Sequence, residues 1–403
     1  MRLGPVVTVA AVALAGARAE AFTDNKIKIG VLNDQSGIYA DIGGHGGVVA
    51  AQLAVRDFGG KVNGVPVEVV GADHQNQPDT AANIARQWFD TDGVDAIFDV
   101  PNSAAALAVN EVTRQKNKVL VVSGATTSEL TQSRCTPNTV HWTYDTYALA
   151  HGTGKAVMEA GGDTWFFITA DYAFGHDLEK ETRAVVTASG GKILGSVNAP
   201  LATPDFSSFL LQAQASGAKV VGLANAGGDA INSIKQAAEF GIQQGGQELA
   251  ALELFITDVN SLGLQAAQGL VFTTAWYWDM TDANRKFAKE MTAQNRGLYP
   301  TMLQAGVYAS VLHYLKAVQA LGDDADGKAV IDKMKELPTD DPLFGKGKIR
   351  VDGRQLHDMY LMEVKKPADS KYPWDYYKLR ATIPADQAFR PLSESACPLV
   401  KKG

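Results

Sequence analysis

The chain has 403 residues, of which 46% are hydrophobic and 20% are charged, and its formal net charge is −7. This composition excludes an intrinsically disordered chain, and the length favours two domains over a single core. Because no basic block stands out against the negative net charge, neither nucleic acid nor an anionic membrane surface is expected as a partner.

The N-terminal segment has the features of a secretion signal. Arg2 precedes an apolar run over residues 3–14 that is too short to span a bilayer. Ala17-Arg18-Ala19 has the small-x-small form that signal peptidases accept. We therefore predict a signal peptide over residues 1–19 and export from the cytoplasm. An uncleaved N-terminal anchor is the alternative.

Short apolar strands alternate with amphipathic helices in the first part of the chain. In the helix expected over residues 78–91, apolar residues recur at i, i+3, i+4, i+7 and i+8 from Ala81, and Pro78 suits the first turn. The alternation predicts strands at 27–32, 65–70, 95–98 and 119–122 and helices at 48–58, 78–91 and 103–116. Such a pattern is typical of a parallel sheet covered by helices on both faces.

The alternation starts again after residue 146 and predicts a second α/β unit. We expect helices at 148–160, 174–189, 206–216 and 229–240, and strands at 164–169, 192–197, 219–223, 254–256 and 269–272. Three more helices are expected at about 282–296, 301–321 and 325–336. Strands at 347–351 and 357–364 then form a hairpin around Asp352-Gly353. Two α/β units predict a ligand in the crevice at the carboxyl ends of their strands.

Cys135 and Cys397 are the two cysteines of the chain. An even pair in an exported protein permits a disulfide, which we expect because Cys397 lies in a tail with little else to hold it. The bond would tie the tail to a point about one third of the way along the chain. Two buried free thiols are the alternative.

Several segments occur in an order that is typical of one family. They are Ile27–Leu32, Ser36–Tyr39, Val121–Thr127, Asp171–Gly175, Gly347–Gln355 and His357–Tyr360. In this order they resemble type I periplasmic binding proteins, and among these the leucine/isoleucine/valine-binding branch that serves ABC importers. The resemblance covers nearly all of the chain beyond the signal segment.

The resemblance implies an α/β fold of two Rossmann-like lobes with parallel sheets, joined by three crossovers near residues 144, 275 and 355. Lobe 1 then comprises 25–144 and 276–355, and lobe 2 comprises 145–275 and 356–385. Residues 386–403 remain as a C-terminal tail.

The function that the resemblance implies is capture of a small organic carboxylate in the periplasm by closure of the lobes. The partners are the solute and the membrane permease of an ABC importer, and we expect a monomer without cofactor or metal. No motif typical of an enzyme supports catalysis, because the chain lacks Gly-x-Ser-x-Gly, His-Glu-x-x-His and a zinc-ligand spacing.

Candidate ligand-binding residues follow the ends of the expected strands. Hydroxyls and amides at the starts of helices suit a carboxylate, because the helix N-terminus offers free N–H groups and a favourable dipole; ordinary helix capping is the alternative. Tyr39, Asn102, Ser103, Ala125, Thr126 and Thr127 are the lobe 1 candidates, and Tyr147, Phe174 and Asp258 are those of lobe 2. Asp258, or Asp229, would hold the ammonium group that the amino acid binders of the branch require.

The segment Ala224–Gly228 carries small residues where the family's amino acid binders tend to place an aromatic ring. Small residues predict more room in the cleft and favour an aromatic acid of the benzoate or cinnamate type, with a branched-chain amino acid as the second ligand class. A secreted two-domain α/β enzyme is the alternative function. A sensory ectodomain is a third, although no transmembrane helix follows the domain.

Overall fold

The computed structural model describes Phe22 and residues 25–401, and the expected signal peptide over 1–19 lies outside these described residues. A six-stranded sheet forms first. Its strands are β1 (Ile27–Asn33), β2 (Lys61–Val62), β3 (Val65–Asp73), β4 (Ala96–Asp99), β5 (Val119–Val122) and β6 (Thr139–His141). They lie in the order β2-β3-β1-β4-β5-β6, and all pair in parallel except β2, which is antiparallel to β3.

Both faces of this sheet are covered, as the sequence predicts. Three helices follow the strands: α1 (Gly44–Phe58), α2 (Pro78–Asp90) and α3 (Ser103–Lys116). Ile97 and Leu120 point into an apolar core that α2 and α3 share, whereas Phe98 and Val121 belong to the core of the opposite face. Successive strand residues therefore bury into different cores, which is why these strands are apolar at every position.

The second sheet has four strands, all parallel, in the order β10-β9-β7-β8. These strands are β7 (Thr164–Ala170), β8 (Lys192–Ala199), β9 (Val220–Ala224) and β10 (Glu248–Ala251). The helices of this part are α4 (Thr146–Leu149), α5 (Lys155–Glu159), α6 (Ala173–Ala188), α7 (Ser207–Ala215), α8 (Gly227–Glu239), α9 (Ile256–Leu262) and α10 (Leu264–Ala267). The two-unit α/β prediction is confirmed.

The helix expected over residues 148–160 is interrupted. A π-helical turn at Ala150–Gly154 separates α4 from α5. Gly152 lies so close to Thr273 that a Cβ atom would stand 2.2 Å from the threonine Oγ1. The close approach requires glycine, and glycine weakens the regular helix there.

The prediction of a strand at residues 254–256 is wrong. Strand β10 ends at Ala251, and α9 begins at Ile256. The Asp258 carboxylate accepts a hydrogen bond from the Phe255 amide at 3.0 Å and caps α9. Because β10 ends in two alanines, its pattern predicts a strand less strongly than the apolar run that follows it.

The remaining elements are β11 (Val271–Thr274), α11 (Asp282–Gln294), α12 (Met302–Leu321), α13 (Gly327–Glu336), β12 (Thr339–Asp341), β13 (Gly345–Ile349), β14 (Gln355–Leu356), β15 (Met359–Val364), β16 (Tyr377–Ile383) and α14 (Ala385–Ala388). Strand β13 pairs with β14, whereas β15 joins β11 and β16 in another antiparallel sheet. The hairpin therefore forms between β13 and β14, and not between β13 and residues 359–364 as expected. Across the described residues, no helix is both long and apolar enough to cross a bilayer.

The chain passes three times between two bodies. Helices α11–α13 pack against α1 and β5, whereas β11 and β15 pack against the part that contains β10 and the π-helical turn. The passages run over residues 142–145, 275–281 and 357–358. We call the body around the six-stranded sheet the first lobe and the body around the four-stranded sheet the second lobe.

The predicted disulfide is confirmed. Cys135 and Cys397 are bonded across a sequence separation of 262 residues. Cys135 precedes β6 in the first lobe, and Cys397 lies in the tail that follows α14. The bond reduces the conformational entropy of the unfolded chain and thereby stabilises the folded state.

Replacing both cysteines (Cys135→Ser with Cys397→Ser) should lower the free energy of unfolding by about 2–5 kcal/mol, because a long loop is no longer closed in the unfolded chain. Urea denaturation measures the change. Wild-type protein in excess reductant serves as the control and should match the variant. Equal stability of variant and oxidised wild type would contradict this role of the bond.

Candidate ligand-binding site

A small cavity lies between the lobes, where the carboxyl ends of strands from both parallel sheets face each other. The space in it that water-sized molecules can reach is about 10 Å³. The lining residues are Tyr39, Ile42, Pro101, Gly124, Thr126, Tyr144, Tyr172, Phe174, Ala226 and Glu253. Strand ends of open α/β sheets are a common place for ligands, and the narrow space in this closed arrangement restricts any occupant to a small molecule.

The first-lobe wall depends on two loops that approach each other closely. Asp99 and Val100 have φ values of +81° and +51°, in the left-handed region, and turn the chain sharply after β4. A Cβ atom on Gly124, in the loop after β5, would lie 2.6 Å from the Pro101 Cα atom. Glycine at 124 therefore lets the two loops meet, and strained turns of this kind are common at functional sites.

Hydrogen bonds fix these two loops to each other. The Asn102 side chain caps α3 by accepting a backbone amide of its first turn at 3.0 Å. The Ser103 hydroxyl oxygen accepts hydrogen bonds from the amides of Thr126 and Thr127, at 3.3 and 3.2 Å. The first turn of α3 keeps amides without an intrahelical acceptor beside the cavity, and such a helix start is suited to an anion.

Glu253 supplies the second-lobe wall with a buried carboxyl group. Tyr144 donates its hydroxyl hydrogen to Glu253 Oε1 at 2.5 Å, and Thr126 Oγ1 lies 3.4 Å from both carboxyl oxygens. Burial raises the pKa of Glu253 to about 8. Within the described residues, no ion pair with Lys, Arg or His compensates this carboxyl group. A cationic group of a ligand would therefore gain strongly by pairing with it.

The two lobes touch at the edge of the cavity. The hydroxyl oxygens of Tyr39 and Tyr172 are 2.6 Å apart, and the Gly228 amide donates to the Ile38 carbonyl at 3.3 Å. Gly227 has φ +56°, and a Cβ atom there would lie 2.6 Å from the Ile38 oxygen. The small residues of this segment therefore make room for the first lobe, not for a larger ligand.

Three of the residues proposed from the sequence line the cavity: Tyr39, Thr126 and Phe174. Asn102 and Ser103 support the loops beside it. The structure places Ala125 behind the wall, where its carbonyl oxygen is 2.7 Å from Nε2 of His141.

The other proposed residues lie elsewhere. Thr127 donates its hydroxyl hydrogen to Asp177 of α6 at 3.0 Å, across the lobes. Tyr147 lies under the guanidinium group of Arg390, 4.6 Å from the ring centre. Asp258 caps α9 and does not line the cavity. Likewise, Asp229 accepts the amide of Ala202 at 3.1 Å.

Sequence reasoning missed the group with the strongest chemistry, Glu253, together with Tyr144 and Tyr172 of the same wall. Glu253 lies two residues beyond the end of β10. An acidic residue just after a parallel strand is a recognisable signal. It was hidden because the strand was expected at residues 254–256 and not at 248–251.

A larger cavity of about 760 Å³ lies along the tail, away from the strand ends. It is lined by Val351, Leu392, Ser393, Ser395, Leu399, Val400 and Lys401. Among the described residues that line it, none is a buried charged side chain, in contrast to the interlobe cavity with Glu253. The interlobe cavity is therefore the better candidate for recognition of a specific solute.

Known proteins resemble the chain over almost its whole length. The family model described as periplasmic binding protein matches residues 26–371. A crystal structure of a periplasmic binding protein from Burkholderia mallei is 55% identical, with a TM-score of 0.91, and the alignment covers 94% of this chain and 100% of that one.

Two further relatives carry more specific descriptions. A branched chain amino acid ABC transporter periplasmic ligand-binding protein from Burkholderia xenovorans is 43% identical, with a TM-score of 0.82 over 93% of this chain and 100% of that one. A Leu/Ile/Val-binding protein homolog from Brucella melitensis is 26% identical over 91% of this chain and 94% of that protein.

Glu253 should make the ligand-free protein less stable as pH rises. Its pKa is about 8 in the folded state and near 4.5 when unperturbed, so the folded state holds the extra proton between these values. Stability therefore falls with rising pH across this window. Glu253→Gln removes the effect and should stabilise the protein by about 1–3 kcal/mol more at pH 8 than at pH 5, relative to wild type.

Urea denaturation of both proteins at pH 5 and pH 8 measures this difference. Glu248→Gln, at an exposed position at the start of β10, is the matched control and should show no such pH dependence. A Glu253→Gln effect that is the same at both pH values would contradict the raised pKa.

Proposed function

The chain belongs to the periplasmic binding protein family, and on that premise we propose that it captures a small amino acid with an apolar side chain for an ABC importer. The observation that carries the proposal is Glu253, a buried carboxyl group that faces the cavity without a cationic partner among the described residues. The rest of the cavity wall is consistent with the two ends of a zwitterion.

The two charges of an amino acid match opposite walls. Its carboxylate fits the first lobe, where the start of α3 presents backbone amides and Thr126 presents its hydroxyl group. Its ammonium group fits the second lobe, where Glu253 and the Tyr144 hydroxyl meet. Such a ligand touches both lobes at once and therefore stabilises the closed arrangement.

The remaining wall suits an apolar side chain of limited size. The rings of Tyr39, Tyr172 and Phe174, together with Ile42 and Pro101, surround the rest of the cavity. In this closed arrangement the space that water-sized molecules can reach is only about 10 Å³, so the lobes would part to admit a small solute and close around it. The relatives described as binding branched-chain amino acids support a ligand of this class.

An aromatic carboxylic acid is the second candidate, because four aromatic rings line the cavity. Such an anion offers no cationic group to Glu253, so the carboxyl group would have to stay protonated. The segment at Gly227-Gly228, which favours a larger solute on sequence grounds, is occupied by Ile38 of the first lobe. The site therefore favours the amino acid.

We propose that the protein acts in the periplasm as a monomer and releases its solute unchanged to a membrane permease. The proposed lobe boundaries are 25–144 with 276–355, and 145–275 with 356–385. Closure of the lobes would couple binding to docking, since only the closed form presents both lobes to the permease in one arrangement. Recovery of unmodified solute after prolonged incubation separates this function from that of a secreted enzyme.

Glu253→Gln should weaken the binding of L-leucine by about 30- to 100-fold, because a charge-assisted hydrogen bond to the ammonium group is lost. Isothermal titration calorimetry measures the dissociation constants. Glu248→Gln is again the control and should bind like wild type. Wild-type affinity in Glu253→Gln would show that this carboxyl group does not recognise the ligand.

The pH dependence of affinity separates the two ligand classes. An amino acid binds ionised Glu253 and releases its proton, so its affinity should rise by up to about tenfold per pH unit between pH 6 and pH 8. Benzoate would need protonated Glu253, so its affinity should fall as pH rises through 8. Titrations of L-leucine and benzoate over this range decide between them, and a benzoate-only response would overturn the amino acid proposal.

A further inference from the structure

The C-terminal tail contacts both lobes beside the chain passages. Strand β16 and α14 belong to the second-lobe side, and the tail leaves them at Phe389. The centre of the Phe389 ring lies 4.6 Å from the guanidinium carbon of Arg354, in the turn between β13 and β14 just before the third passage. Arg354 itself donates to the Tyr144 carbonyl of the first passage at 2.9 Å. The tail therefore begins beside the passages between the lobes.

Arg390 attaches the tail to the second lobe. It donates from Nη2 to Glu181 of α6 at 2.6 Å, and its guanidinium group lies over the Tyr147 ring of α4. Its carbonyl accepts a hydrogen bond from Arg350 at 2.7 Å. The Glu181 carboxyl group is nearly buried, with 5% of its side chain exposed, so this ion pair is screened less than a surface pair.

The end of the tail is attached to the first lobe. The Ala396 amide donates to Gln132 Oε1 at 2.9 Å, and Cys397 is bonded to Cys135. Only residues 391–396 separate the two attachment points, and they include a 3-10 turn at Leu392–Glu394. The disulfide fixes the end of the tail to the first lobe. The tail residues therefore stay close to their partners in both lobes, at a high effective concentration.

The same part of α6 also meets the first lobe directly. Asp177 accepts hydrogen bonds from the Thr127 hydroxyl and from the Ser128 amide, at 3.0 and 2.8 Å. Glu181 lies one turn further along α6, next to Ser128. A movement of α6 away from the first lobe would break these contacts and pull on Arg390 and the anchored tail.

We propose that the disulfide-anchored tail is a fourth connection between the lobes and that Arg390 is its positioning residue. The connection favours the closed arrangement and thereby raises ligand affinity from outside the cavity. The effect on affinity rests on the proposed function, whereas the effect on lobe arrangement does not. Because apparent affinity scales with the fraction of molecules in the binding-competent arrangement, a looser tail lowers it without a change in the cavity.

The test compares wild type, Cys135→Ser with Cys397→Ser, Arg390→Gln and Arg390→Lys. Small-angle X-ray scattering gives the radius of gyration without and with L-leucine, calorimetry gives the dissociation constant, and thermal unfolding gives Tm. Glu394→Gln is the matched control, since it removes the exposed 3.8 Å contact between Glu394 and Arg390 within the tail and keeps the Arg390–Glu181 pair.

We expect the double-serine and Arg390→Gln proteins to have a larger radius of gyration without ligand and a dissociation constant raised about three- to tenfold. With L-leucine bound, their radius should return to that of wild type. Arg390→Lys keeps the charge and should recover part of the affinity, and Glu394→Gln should behave like wild type.

A lower Tm with an unchanged radius of gyration and dissociation constant would overturn the proposal, because the tail would then only stabilise the fold. If L-leucine does not bind even to wild type, the proposed function fails. In that case the radii of gyration of the ligand-free proteins still test whether the tail connects the two lobes.

Discussion

The proposed site depends on a buried carboxyl group, Glu253, at the point where the two parallel sheets meet. Burying a carboxyl group is costly unless it is protonated or paired. The hydroxyls of Tyr144 and Thr126 stabilise it only in part, and its pKa remains raised to about 8. Burial also raises the pKa values of Asp99 and Asp258, to about 7, but Glu253 is the one of the three that lines the cavity, which supports its proposed role in ligand recognition.

The geometry around this carboxyl group follows from how the two lobes meet. Parallel strands direct their carboxyl ends to one edge of each sheet, and the three chain passages place the two edges face to face. Gly227 and Gly228 allow Ile38 and Tyr39 to approach the second lobe, and the Tyr39 and Tyr172 hydroxyls meet across the gap. The closed arrangement is thus built from direct contacts between lobes, and the space left for a ligand is small.

Most of the fold was predictable because apolar residues recur at regular spacings along its buried strands and helices. Helix α3 and strand β5 have the bounds that the sequence predicts, since capping by Asn102 and an unbroken apolar run mark them clearly. The site was less predictable. Thr127 and Tyr147 carry the residue types that suit ligand contact, yet they hold α6 and the tail instead. Several polar groups follow each strand, and tertiary packing decides which of them reaches the cavity. The spacing of residues along the chain does not reveal this packing.

A crystal structure of the protein with bound L-leucine would show whether Glu253 recognises the ammonium group of the ligand. We expect the ligand nitrogen at about 3 Å from the Glu253 carboxyl group and the ligand carboxylate at the start of α3, with both lobes in contact with the ligand. A ligand whose carboxylate faces Glu253, or one bound outside the interlobe cavity, would contradict it.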